Sequence, residues 1–167
     1  NPVNDSPWFE SSALTIDEKS NRLYCGIGSH LHVYDVKMQC EEFVSRFVLK
    51  DGSSIRGFDF RRDYALVWGG KRVLILNTNN WTVKSDMKLK DKIMVAKFDH
   101  CDEIESSIPL ILGFAHNFVR FRGLERWCSA KCLLYSMTFY LNKSNDLIVA
   151  SGTVFGDIVI WNPRTMV

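Results

Sequence analysis

The sequence carries almost no excess of charge: twenty-one Lys and Arg stand against nineteen Asp and Glu, a formal difference of +2. So small an imbalance excludes a dedicated nucleic-acid binder recognisable by charge alone, and any RNA or DNA contact has to be a local patch. Long hydrophobic runs are missing as well. The longest uncharged stretch, Ser106 to Val119, is fourteen residues and is interrupted by Pro109, Gly113, His116 and Asn117, whereas a bilayer-spanning helix needs about 20 apolar residues. No membrane span is expected. A basic-then-apolar leader is also lacking: the chain opens Asn1-Pro2-Val3-Asn4 without a Met, which reads as a fragment and not as a targeting peptide. Cysteines are few and odd in number, namely Cys25, Cys40, Cys101, Cys128 and Cys132. In a chain large enough to fold without staples this favours reduced thiols, and the expected location is the cytoplasm. Cys25 sits inside an apolar run, where a thiol behaves as a small, inert hydrophobe.

What is present is the material of a core. The 167 residues are 46% hydrophobic and 24% charged, the balance of a folded domain of ordinary size. No segment carries a sustained 3.6-residue stripe of helix length. Runs of Val, Ile, Leu and aromatic residues bounded by Gly, Asn, Asp and Ser read as strands, so the class is all-β.

Self-similarity organises the chain. Leu31-His32-Val33-Tyr34-Asp35, Val73-Leu74-Ile75-Leu76-Asn77, Phe118-Val119-Arg120-Phe121-Arg122 and Ile158-Val159-Ile160-Trp161-Asn162 share one register. Aligning Tyr34, Leu76, Phe121 and Trp161 gives spacings of 42, 45 and 40 residues. Each is preceded by a second apolar run and a tight turn, from Leu23-Tyr24-Cys25-Gly26 to Leu147-Ile148-Val149-Ala150-Ser151-Gly152. A period of about 40 to 45 residues with four strands per repeat is the mark of a propeller blade. Inner strands are expected at about Ser12 to Ile16, Ile55 to Phe60, Ile93 to Phe98 and Leu133 to Leu141, and outer strands at about Phe43 to Leu49, Trp81 to Leu89 and Leu124 to Ser129. The expected blades run from about 8–50, 53–90, 92–131 and 132–163. The chain thus reads as a partial WD-repeat β-propeller, three whole blades and most of a fourth. A seven-bladed ring needs roughly 300 residues, so a longer parent chain, or another subunit, is expected to supply the remaining blades.

The repeats are degenerate. The WD dipeptide survives only as Tyr34-Asp35, Leu76-Asn77, Phe121-Arg122 and Trp161-Asn162, and no Gly-His pair opens a blade. The buried polar network that usually ties each blade is expected to have been replaced mostly by apolar packing. Arg122, where an Asp is usual, either reaches solvent or has gained a carboxylate elsewhere.

A more specific likeness lies in residues 110 to 163. Leu112-Gly113-Phe114-Ala115-His116-Asn117-Phe118-Val119, the stretch Glu125 to Ser136, and Ile148-Val149-Ala150-Ser151-Gly152-Thr153-Val154-Phe155-Gly156-Asp157-Ile158-Val159-Ile160-Trp161 resemble the amino-terminal propeller of the WD repeat-containing protein six family. Arg22 to Gly26 and Ile55 to Phe58 match more loosely. The resemblance implies a non-catalytic subunit that pairs with a tRNA ribose 2′-O-methyltransferase acting on the anticodon wobble nucleotide. It further implies that tRNA is a partner and that S-adenosylmethionine is held by the methyltransferase alone, with no cofactor in this chain.

Candidate contacts to RNA or partner come from the loops, where binding residues on rigid scaffolds tend to lie. Lys50, Lys71, Arg72, Lys90, Lys92 and Lys131 are expected toward one face, able to meet phosphates. Their plainer reading is solvated charge, since Asp51, Asp86 and Asp91 lie among them. The run Lys84, Lys88, Lys90, Lys92 and Lys97 reads first as edge protection. His116 and Asn117 read as a tight turn suited by the tolerance of Asn for left-handed backbone angles. Phe155 is apolar where a turn is usually polar, and either anchors a protein partner or packs on a further blade. Cys128, Cys132, His100 and Cys101 lack the second pair that a zinc site needs. No phosphate-binding glycine loop, nucleophile elbow or paired catalytic carboxylates occur, and no enzymatic activity is expected. The alternative function is a generic WD-repeat protein-interaction scaffold in trafficking or signalling, without an RNA role.

Overall fold

Apolar runs at a fixed period fold here into four antiparallel meanders. The computed structural model describes residues 11–45, 48–100, 108–144 and 146–165, and all regular structure among them is strand. The strands are β1 (Ser11–Asp17), β2 (Arg22–Ile27), β3 (His30–Asp35), β4 (Cys40–Ser45), β5 (Gly57–Arg61), β6 (Tyr64–Gly69), β7 (Arg72–Asn77) and β8 (Val83–Lys88) in the first half. The second half holds β9 (Ile93–Phe98), β10 (Leu110–Phe114), β11 (Phe118–Phe121), β12 (Leu124–Trp127), β13 (Leu134–Leu141), β14 (Leu147–Thr153) and β15 (Ile158–Trp161). They form sheets in the orders β1-β2-β3-β4, β5-β6-β7-β8, β9-β10-β11-β12 and β13-β14-β15. No helix among the described residues is long and apolar enough to cross a membrane.

The register confirms the repeat at the level of single residues. The four aligned positions Tyr34, Leu76, Phe121 and Trp161 pair across their sheets with Leu23, Ala65, Ile111 and Val149, each the corresponding residue of the preceding apolar run. Two compact units divide the chain between Leu89 and Lys90.

In the first unit Tyr24, Leu31 and Val33 of the first sheet pack on Leu49, Ile55, Ala65, Val67, Leu74 and Leu76. Side chains of this size contribute about 1.5–3 kcal/mol each when fully buried, so this cluster is what holds the two sheets together. Ala65, Leu66 and Val67 are buried in succession, which is why β6 reads as a continuous apolar run instead of an alternation. The opposite face of the first sheet leaves Leu14 and Ile16 exposed.

Two outer strands begin elsewhere than their hydrophobicity indicates. β4 covers Cys40–Ser45, and the expected Leu49 is instead a buried loop residue. β8 starts at Val83 because Trp81 takes a left-handed backbone angle, φ 59°, in the preceding turn. The Trp81 ring stacks on Phe43 at 4.6 Å and lies 6.2 Å from Tyr24, so its apolarity serves the core and not a strand. β5 likewise begins at Gly57, with Ile55 and Arg56 donating backbone hydrogen bonds to Gly28 and Trp68 from outside the strand.

In the second unit the third and fourth sheets meet at Gly113, where an added Cβ would run into Met137, Phe139 and Val95. On the fourth sheet Met137, Phe139, Val149, Ser151 and Trp161 share the buried face. The other face carries Ile158 and Ile160, which are 77% and 71% exposed.

Candidate functional site

Buried apolar neighbours anchor the loop that carries Lys50. Lys50 and Asp51 lie in the β4–β5 loop between Leu49 and Ile55, both fully buried. Two such side chains outweigh surface ion pairs worth about 0–1 kcal/mol each. Backbone hydrogen bonds from Val48 to Ser29 and from Ile55 to Gly28 tie the loop to the β2–β3 turn. At the second sheet Ser54 presses its carbonyl so close to Gly69 that no side chain fits there. The loop entering the sheet and the turn joining its middle strands therefore meet at one end. The same meeting recurs at the third sheet, where Ala115 donates to the Lys92 carbonyl, and at the fourth, where Val154 donates to Leu133.

At the second sheet Arg72 reaches Asp86 at 3.1 Å and Asp51 at 3.5 Å, while Lys50 lies 3.6 Å from Asp86. Two cations meet two carboxylates, so Lys50 and Arg72 form a locally neutral cluster. Burial works to raise the Asp51 carboxyl, but hydrogen bonds from Ser53 and the nearby Arg72 hold it below the ordinary range. Lys71 is exposed in the adjoining turn. Lys84 and Lys88 lie exposed on β8, the last strand of its sheet, where charge discourages pairing with another chain.

A different arrangement occupies the third sheet. Phe114, Phe118 and Trp127 face one another across β10, β11 and β12 and stack, with ring centroids 4.4 and 4.2 Å apart. Lys90 lies 5.7 Å from the Phe118 centroid and Arg120 lies 5.6 Å from that of Phe114. Glu125 gathers three donors: Arg120 at 3.0 Å, the Trp127 indole N–H at 3.2 Å and Lys90 at 3.4 Å. Chiefly through Arg120, these hold its carboxyl below the usual range against a smaller opposing effect of burial. Asp91 accepts from the His116 ring at 2.9 Å and from the amides of His116 and Lys92 at 3.2 and 2.8 Å. Those bonds overcome burial and lower its pKa. Lys92 and Lys131 are exposed. Phe155, in the β14–β15 turn, is 79% exposed.

The position of the WD acid keeps a physical job in three repeats. Asp35 accepts from the amides of Lys37 and Met38, Asn77 from Asn79 and Asn162 from Arg164. Each side chain closes a turn in place of a backbone carbonyl. In the remaining repeat Arg122 has gained a carboxylate, donating to the fully buried Asp99 at 2.8 and 3.1 Å.

The expectation that apolar packing replaces the buried polar network needs correcting in the second unit. Asn117, buried at φ 62°, donates its amide to Ala130 at 2.9 Å and accepts from Ser151 Oγ at 2.7 Å, and Ser151 in turn accepts from the Trp161 indole at 3.3 Å. The corresponding positions to Ser151 elsewhere are Cys25, Val67 and Gly113, none of which carries a hydroxyl. Among the described residues no three His, Cys, Asp or Glu converge as metal ligands, and Cys101 lies outside the described residues.

No family model and no curated protein matches the sequence. Solved structures do match. The chain is similar to the β-propeller domain of Cps50 (Swd1) from Myceliophteria thermophila, with a TM-score of 0.68 and 12% identity over 96% of this chain and 54% of that one. Against the WD40 domain of SCAP from fission yeast the TM-score is 0.62, at 11% identity, over 96% and 43% of the two chains. Against BBS1N, solved in complex with ARL6DN, the TM-score is 0.65, at 11% identity, over 93% and 48%. The fold is a WD40 β-propeller fold. At such identities the likeness carries the fold alone, and the chain spans about half the length of these propeller chains.

The candidate cations read from the sequence include Lys90 but not Arg120, Glu125 and Trp127, which the structure places around it. Arg120, Glu125 and Trp127 sit two and five residues apart in the chain, and only the β11–β12 register makes them neighbours. The available signal was a tryptophan two residues from a glutamate in a short outer strand.

Proposed function

We propose that this propeller is a non-catalytic scaffold that binds a tRNA ribose 2′-O-methyltransferase and helps position tRNA for methylation of the anticodon wobble nucleotide. The observation that carries the docking half is the exposed apolar Ile158 and Ile160 on the fourth sheet, with the exposed Phe155 in its β14–β15 turn, residues that a protein, whether the enzyme or further blades, covers well. BBS1N, a protein of similar fold, is solved with a protein partner. The RNA half rests on the likeness of residues 110 to 163 to the WD repeat-containing protein six family and on the basic loops bearing Lys71, Lys90, Lys92 and Lys131. Holding enzyme and substrate in one geometry turns an encounter into a positioned reaction, which asks for surfaces and not for nucleophiles in this chain.

The test is reconstitution. The full-length chain should raise wobble-ribose methylation by its partner enzyme and have no such activity alone; methylation indifferent to it would end the proposal. A generic protein-interaction scaffold is the second reading, favoured by the neutral Lys50, Arg72, Asp51 and Asp86 cluster. Salt separates the two: phosphate contacts give a slope of log affinity against log salt of about −0.7 to −0.9 per contact, whereas absent tRNA binding leaves the scaffold alone.

A further inference from the structure

We infer that Trp127 is a stacking platform for an unpaired base of single-stranded RNA, with Lys90 and Arg120 placed for the flanking phosphates; the inference rests on the RNA role proposed above. Three features of the site converge on it. The indole is 43% exposed on β12, the last strand of its sheet, yet it is fixed in place. Phe118 covers one ring face at 4.2 Å and 20°, and the N–H is committed to Glu125 at 3.2 Å. The ring is thus held on an edge strand with part of its surface in solvent, in an orientation that a ligand need not pay to order.

The surroundings select the ligand. Trp127, Phe118, Arg120 and Glu125 share one face of the third sheet, and Phe118 is buried. Leu124, the other exposed apolar residue of β12, lies on the opposite face. A protein interface needs contiguous apolar area at its centre, and this face offers a single ring inside a charged rim. Lys90, 61% exposed, and Arg120 contribute two positive charges against the one carboxylate of Glu125, which is already shared among three donors. A planar base with phosphates on either side fits a lone ring with two cations beside it.

The experiment measures the full-length chain with labelled eight-nucleotide single-stranded oligouridine and oligoadenosine, an RNA duplex of the same length, and tRNA. Relative to wild type, W127A should bind both single strands at least about tenfold more weakly, the loss expected for removing base stacking. W127F should stay within about threefold, and duplex binding should not change. K90A should make the salt slope shallower by about 0.7; W127A should leave it unaltered. Thermal melting establishes that each variant is folded, and W127F tests the platform even where W127A is not. Salt-sensitive tRNA binding with full single-strand affinity in W127A overturns the platform and leaves the RNA role standing. Loss of the methyltransferase and not of RNA in W127A overturns it in favour of a protein contact. A wild-type chain that binds no RNA overturns both.

Discussion

Arg122 clasps the fully buried carboxylate of Asp99 through two nitrogens, at 2.8 and 3.1 Å. The pair links the end of β11 to the residue after β9, across the sheet, and it replaces the side-chain-closed turn of the other repeats.

Removing the guanidinium takes two charge-assisted hydrogen bonds from a buried carboxylate. R122A should therefore lower the unfolding free energy by about 1.5–3 kcal/mol, read from urea denaturation. Arg122 also holds a left-handed backbone angle, φ 47°, which R122G would relieve. If R122G were nearly as stable as wild type, backbone strain and not the ion pair would govern the site. R122K should recover only part of the loss, since an ammonium cannot make the bidentate contact.

Asn117 joins two sheets of the second unit through its side chain and occupies the left-handed region. N117A should cost about 2–4 kcal/mol, because the Ser151 hydroxyl and the Ala130 carbonyl lose their partner in the interior. N117G loses the same bonds without the backbone penalty and should be about 1 kcal/mol less damaged. Equal stabilities of the two variants would remove the backbone from the explanation.

Two glycines should respond differently to a methyl group. At Gly69 the obstacle is the Ser54 backbone, which cannot swing away; at Gly113 it is first the flexible end of Met137, with Phe139 and Val95 behind it. G69A should exceed G113A in destabilisation, the latter costing about 1–3 kcal/mol. M137A combined with G113A should be less harmful than the two losses added, and strict additivity would show that Met137 is not the obstacle.

The acid limb of stability reports on Glu125. Its folded pKa lies below the unfolded value of about 4.3, so its contribution is present above that value and is lost as pH falls through the lower folded one. Urea midpoints of wild type and E125Q should differ most near neutral pH and converge as the pH falls below the unfolded value of about 4.3. A gap that stays constant over this range would mean that the carboxylate charge contributes nothing. Asp91, lowered by His116 and Lys92, should behave in the same direction.

Much of the fold was legible because its signal is local. The spacing of Tyr34, Leu76, Phe121 and Trp161 survives as a shared strand register, and β9 falls on the expected Ile93 to Phe98. Trp81 and Leu49 read as strand residues because apolarity does not reveal whether a side chain serves a strand or a core beneath a loop. The polar contacts were far less readable. Arg72 meets Asp86 fourteen positions away, Arg122 meets Asp99 at twenty-three, Ser151 meets Asn117 at thirty-four and Lys90 meets Glu125 at thirty-five. Charge and turn propensity could be read in each residue separately, but its partner is chosen by topology.

The rows Leu14 with Ile16, and Ile158 with Ile160, leave water in contact with surfaces that the interior of the same sheets avoids. Any macromolecule that takes such a row out of solvent binds the native state and not the unraveled one, and by mass action it raises the melting temperature. With such a macromolecule present, the stability of this chain would depend on the concentration of whatever covers the row.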